Sequence, residues 1–245
     1  MKKSCKNCGF IFEENYCNRC GQAANTGKLS GLYIVNDLQN GLFSFDNGIL
    51  YSAKQLFTRP GHAIREFIAG KRINHHRPLS LVVLLATVYG LLYHFLDFNI
   101  LAYANEDGNS NGVVSYNNIN ELISTHYAIT ILLSIPLYAV ASYLIFKKQG
   151  YNFVEHMVLN AFVASQKIII HLCTIPFIYF IHSSRDLKLM SELIFVLDFL
   201  LLYWCYSQFF NTLSRGKSFV LTLLANTLFL IILMSISVLI ILILK

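Results

Sequence analysis

Four cysteines open the chain in two matched pairs, Cys5-x2-Cys8 and Cys17-x2-Cys20, separated by an eight-residue gap. A Cys-x2-Cys turn delivers two sulfurs from one tight knuckle, and two knuckles complete the four-thiolate tetrahedron that zinc prefers. Gly9 and Gly21 follow directly on the second cysteine of each pair and permit the turn. The intervening "GFIFEENY" has room for a short hairpin, so residues 1–22 read as a minimal zinc ribbon whose folding energy comes from the metal. With all four positions filled by cysteine, no coordination site stays open, and the zinc is expected to be structural. The alternative is a pair of disulfides, which requires an oxidising compartment. "MKKS" leads straight into the cysteines with no signal peptide, and the spacing favours zinc. Cys173 and Cys205 lie inside apolar runs and read as small buried hydrophobes.

A second set of chemically capable residues lies far from the first. Lys167 and His171 are one helical turn apart, and so share a helix face inside an apolar run. Counting about 1.5 Å per residue puts His94, His171 and Asp198 at similar depths, roughly 20 Å into the bilayer. An ionisable group at that depth costs a few kcal/mol unless it is paired or wetted. Lys167, His171, Asp198 and His94 could therefore form a proton relay or ion path, or a static Lys167 to Asp198 pair that fixes helix packing. His62, His75, His76, His126, His156 and His182 fall at or outside the ends of the apolar runs and read as interfacial.

The elements that must position these residues follow from composition. A mean hydropathy of +0.52, with 55% hydrophobic and 13% charged residues, is too apolar for a water-soluble domain, and the expected fold is an all-α polytopic membrane protein. Apolar runs of bilayer length occur at about 79–98, 127–146, 157–181, 192–212 and 219–244, which predicts five spans with the termini on opposite sides. Residues 1–78 hold eleven Lys and Arg against five Asp and Glu, whereas residues 79–245 hold eight of each. Lys71, Arg72 and Arg77, then Lys147 and Lys148, then Arg215 and Lys217 mark one face as cytoplasmic, so the ribbon is expected inside the cell, in the inner membrane's reducing compartment. A basic segment feeding into a span faces anionic lipid headgroups before nucleic acid.

Between ribbon and spans, residues 23–28 read as a small polar linker, and residues 29–78 as amphipathic helices. Leu29, Leu32, Tyr33, Leu38, Leu42 and Phe45 recur at helical spacing, "DNG" at 46–48 breaks the pattern, and Ile49, Ala53, Leu56 and Phe57 restart it. Pro60 opens a third helix and Gly70 ends it. These helices either lie in the cytoplasmic interface, with Lys54, Arg59, Arg65, Lys71, Arg72 and Arg77 reaching lipid, or pack on each other beneath the bundle. Pro136 and Pro176 remove one hydrogen bond each from the second and third spans, where they are expected to kink the helix.

The stretch "TRPGHAIREFIAGKRINHHRPLSLVVL", preceded by "FSFDNGIL" and headed by the paired cysteines, resembles the bacterial membrane-protein family called domain-of-unknown-function 3667. The resemblance is carried by Asp46, Gly48, Arg59, Pro60, Gly61, Ile64, Gly70, Lys71, Arg72 and Pro78. It implies a layout and supplies no activity. Neither a phosphate loop, nor HExxH, nor a nucleophile elbow, nor an internal repeat occurs, which weighs against an enzyme and against a repeat-built transporter. A membrane scaffold or regulator, whose ribbon binds a cytoplasmic protein or lipid surface, is the expected function. A small transporter or channel using the Lys167 cluster is the first alternative. A lipid-acting enzyme is the second, drawing on Asp46, Glu66, His62, His75 and His76.

Overall fold

The computed structural model describes residues 2–41, 48–95, 127–181 and 183–243. A two-stranded antiparallel ribbon comes first, pairing β1 (Lys3–Ser4) with β2 (Ile11–Phe12). The strands flank the first cysteine knuckle, so only β2 lies in the stretch between the two knuckles where the hairpin was expected; a single bridge, Tyr16 to Ala23, closes the second. Three short helices follow: α1 (Gly31–Gly41), α2 (Gly48–Thr58) and α3 (Pro60–Ala69). The amphipathic spacing predicts them, and Pro60 at the first position and left-handed Gly70 (φ 110°) bound α3 because proline needs no donor there and glycine tolerates the turn. Leu42, Phe45 and Asp46 lie outside the described residues.

Among the described residues, five apolar helices form the body: α4 (Pro78–Phe95), α5 (Tyr127–Phe146), α6 (Phe153–Tyr179), α7 (Ser184–Phe209) and α8 (Arg215–Ile243). Four of them, α5 to α8, are long and apolar enough to cross a membrane; the apolar part of α4, Pro78–Leu92, is shorter. The expected count of five spans is therefore met in four. Three of the helices also start well before their hydropathy runs. Asn152 accepts from the Glu155 amide at 2.8 Å while Glu155 Oε2 accepts from the Asn152 amide at 2.8 Å, a capping box that starts α6 four residues before the expected 157. Likewise α7 and α8 begin with polar turns at Ser184 and Arg215 instead of 192 and 219. Pro136 and Pro176 both lie inside continuous helices.

The first turn of α4 is capped from another element. Pro78 has no N–H to satisfy, and the next two amides, of Leu79 and Ser80, donate to the Asp37 carboxylate at 3.1 and 3.4 Å. The Ser80 hydroxyl donates to the same carboxylate at 2.6 Å. Asp37 is fully buried on α1, so it fastens α1 to α4 while supplying the acceptors a helix start lacks. Burial pushes its carboxyl above the ordinary range, and the hydrogen bonds from Ser80 and Leu79 pull it part of the way back.

The densest core gathers where the short helices meet the bundle. Leu56, Ile64 and Phe67 share one cluster with Phe146, Phe162, Leu202, Tyr206, Phe209 and Phe210. Phe67 meets Phe162 edge-on at 5.3 Å, and Phe146 stacks on Phe210 at 4.1 Å. Close approach of α3 to α7 requires Gly61, where a Cβ would lie 2.3 Å from the Phe209 amide nitrogen. Arg65 then donates to the carbonyls of Gln208 and Phe209, closing the end of α7. Away from this end the helices turn large side chains outward, among them Leu193, Phe195 and Leu200 on α7 and Ile231, Met234 and Leu239 on α8. Such apolar surface suits hydrocarbon and not water. Cys173 corrects an expectation: it is exposed on α6, because its face turns away from the other helices, while Cys205 on α7 is fully buried.

Candidate metal centre and intramembrane ion cluster

The two knuckles of the ribbon are the same turn built twice. The Gly9 amide donates to the Cys5 carbonyl and the Gly21 amide to the Cys17 carbonyl, each at 2.8 Å. The Cys5 amide donates to Phe10 and the Cys17 amide to Gln22. Both glycines hold positive φ, 73° and 75°, as this turn demands. The result brings four sulfurs together: all lie within 4.8 Å of one another, with Cys5 to Cys20 and Cys8 to Cys17 at 3.6 Å. Four thiolates bound at about 2.3 Å around a tetrahedral ion would sit about 3.8 Å apart, so the donor set fits a metal with little movement. All four are free thiols, at a separation far beyond a disulfide's roughly 2 Å bond. Ligand type and number, four soft sulfurs and no oxygen, suit zinc chemistry.

The ribbon is docked and not slung on a slack linker. Gln22 is fully buried and its Oε1 accepts from the amides of Arg72 at 2.9 Å and Ile73 at 3.3 Å. With that oxygen committed to two donors, Nε2 faces Cys5 Sγ at 4.0 Å. The Arg72 guanidinium donates to the Gly27 carbonyl at 2.9 Å and lies over the rings of Tyr33 and Phe67. Lys6 Nζ donates to the Thr26 carbonyl at 2.7 Å, directly over Gly70, where a Cβ would lie 2.6 Å from Lys6 Cδ.

Five of the six basic residues expected to face lipid, Arg59, Arg65, Lys71, Arg72 and Arg77, have protein partners, while Lys54 is exposed. Glu66 binds Arg59 at 3.2 Å and Lys71 at 3.4 Å; burial opposes its charge, but these two cations prevail and hold its carboxyl below the usual range. Arg77 donates to the Asn36 carbonyl at 3.3 Å. Among the residues weighed for lipid chemistry, His62 is exposed beside Arg65, with Nδ1 2.6 Å from its guanidinium, and His76 is buried, its amide donating to Ser52 Oγ at 2.8 Å. His75 stands edge-on to Tyr51, Phe67 and Phe162.

Burial lowers the His75 imidazole from 6.5 to about 4, ahead of a smaller raising effect of Glu66 and a lowering one of Arg59. The folded chain thus keeps this ring neutral while the unfolded chain protonates it. Stability from His75 is complete above pH 6.5 and is lost as pH falls from 6.5 towards 4. At pH 5.5 the loss is about 1 kcal/mol, rising to at most on the order of 3 kcal/mol. Melting in detergent at pH 7.5 and 5.5 should show a smaller acid-induced drop for His75→Phe than for the natural chain; equal drops would exclude this assignment.

Within the apolar helices, Asp198 of α7 stands between two partners on α6. Its Oδ2 is 3.8 Å from Lys167 Nζ and its Oδ1 3.2 Å from His171 Nε2, with side chains of Lys167 and Asp198 each 22% exposed. Tyr89 of α4 packs 6.2 Å from the His171 ring. The side chain of His94 lies outside the described residues, as do His126 and His182. A second polar network escaped the sequence reading. His156, expected at an interface, is fully buried in the first turn of α6, with Nδ1 3.0 Å from Ser142 Oγ of α5. Asn160 Nδ2 donates to Ser142 Oγ at 3.0 Å, and Tyr206 OH of α7 donates to Asn160 Oδ1 at 2.7 Å. His156 and Asn160 at i and i+4 share one helix face, a spacing that could have flagged them.

Residues 46–90 match the family model described as "Protein of unknown function (DUF3667)". No curated protein and no solved structure matches the chain. The DUF3667 segment runs from before α2 to the last turns of α4, so it holds Arg65 and the Arg72, Ile73 and Leu79 amides that Gln22 and Asp37 engage, and none of the cysteines. Its motif residues have physical roles here. At Gly48 a Cβ would lie 2.9 Å from the His76 amide nitrogen, Gly61 admits α7, and Gly70 takes the left-handed turn beneath Lys6. Arg59 and Lys71 hold Glu66, Arg72 engages the ribbon's tail, and Pro78 starts the helix that Asp37 caps.

Proposed function

We propose that this chain is a multi-pass inner-membrane scaffold or regulator. Its zinc ribbon and three amphipathic helices form one cytoplasmic platform for a protein partner or an anionic lipid surface. Zinc is structural in this reading, since four cysteines leave it no open position. Five spans cross the bilayer: α4, 18 residues long, reaches about 27 Å, close to the hydrocarbon thickness. Exposed Lys147, Lys148, Arg215 and Lys217 lie at the helix ends nearest the platform and support its cytoplasmic placement, with the C-terminus opposite.

The observation that carries the reading is the fastening of the platform to the bundle end at three points: Gln22 on the α3–α4 turn, Arg65 on α7 and Asp37 on α4. A partner held by the ribbon would thereby be held by the membrane body. A photo-crosslinking residue placed at Ile11 or Tyr16, 61% and 64% exposed on the ribbon, tests this in cells. One dominant protein or lipid adduct, lost in Cys17→Ser, is expected. Random low-level labelling that Cys17→Ser leaves unchanged would count against a platform. The Lys167, Asp198 and His171 cluster favours transport as a second reading. Protein-dependent ion flux in reconstituted vesicles that Asp198→Asn abolishes would replace the first reading with that one.

A further inference from the structure

Gln22 touches both the metal centre and the turn that leads into the first apolar helix. Its carbonyl oxygen is fixed by the Arg72 and Ile73 amides, which leaves its amide hydrogens directed at Cys5 Sγ. An N–H donor onto a ligating sulfur is the kind of outer contact that orients a ligand and is oriented by it. Gln22 also accepts, through its own carbonyl, the amide of Cys17, so its backbone belongs to the second knuckle. The side chain therefore reaches from one knuckle, past a cysteine of the other, to residues 50 positions away in sequence.

We infer that Gln22 is a metal-dependent latch: an ion in the four-cysteine centre sets the Gln22 side chain and thereby orders the Arg72–Ile73 turn that enters the bundle. This rests on the metal reading above. Without the ion the two knuckles have only three buried residues of core, Cys5, Phe12 and Cys17, to hold them together. Loss of the ion would separate them and withdraw the acceptor from two backbone amides, so that metal occupancy reports directly on the base of the membrane helices.

Amide exchange on the full chain in detergent, with and without zinc under reducing conditions, tests the latch. In the natural protein, chelation should raise exchange across residues 71–77 about tenfold, and zinc should restore protection. Gln22→Ala should show the raised exchange with one zinc still bound. Gln22→Glu keeps the acceptor and loses the donor, so it should keep the turn protected and weaken zinc binding; it also covers the case where Gln22→Ala fails to fold. Unchanged protection of 71–77 on zinc removal overturns the latch, as does zinc-bound Gln22→Ala with natural protection. A natural chain that takes up no zinc overturns the metal reading and the latch with it, whereas one zinc with a silent Gln22 overturns the latch alone.

Discussion

Cys17→Ser should lose the bound metal and unfold the ribbon while the membrane helices persist. The reduced natural chain is expected to carry one zinc, and Cys17→Ser or Cys5→Ser close to none, by elemental analysis of purified protein. The effect is large because the ribbon's own core is three buried side chains, two of them the ligands themselves. Apparent zinc-binding free energies of about 10–16 kcal/mol in small fingers represent folding energy in such units. Amide exchange over residues 2–24 should approach that of an unfolded peptide, and helical content should change little, since those residues hold only β1 and β2. A zinc-free protein whose mass shows two disulfides would end the metal reading and revive the oxidised alternative.

Lys167→Met should destabilise the helical body by about 3 kcal/mol, the low end for breaking a buried ion pair, because each side chain keeps about a fifth of its surface exposed. Asp198→Asn should cost a similar amount, since it leaves the Lys167 ammonium without its countercharge while His171 keeps a hydrogen-bonding oxygen. The double variant should recover most of the loss, because neither charge then remains. For a chain of this size the single losses correspond to about 6–12 °C in melting temperature. Recovery in the double variant with no protein-dependent flux in any variant is the signature of a packing pair. Single variants that melt like the natural chain yet stop an ion flux would make the cluster a transport site.

Both predictions begin from residues visible in the sequence, but they were legible to different depths. Two cysteines three positions apart and a glycine after them form a knuckle by local geometry alone, so the cluster of Cys5, Cys8, Cys17 and Cys20 could be read directly. The same holds for α3, bounded by Pro60 and Gly70, and for apolar runs too long for anything but a helix. The helix starts were less legible. A hydropathy run begins where charge ends, whereas α6 begins where Asn152 and Glu155 satisfy each other's amides.

What the sequence by itself determined, then, is each element and its inventory of chemical groups, because these depend on neighbours a few bonds or one helical turn away. Only the tertiary structure decided which faces meet. It placed Asp37 over the start of α4, drew Gln22 from the last position of the ribbon into the base of the bundle, turned Cys173 outward, and buried His156 among Ser142, Asn160 and Tyr206. It also set Asp198 between Lys167 and His171. Each of these outcomes depends on how far one helix is rotated and slid against another. Rotation by one residue moves a side chain about 100° around its axis, and packing across the whole interface, not any local spacing, fixes that angle.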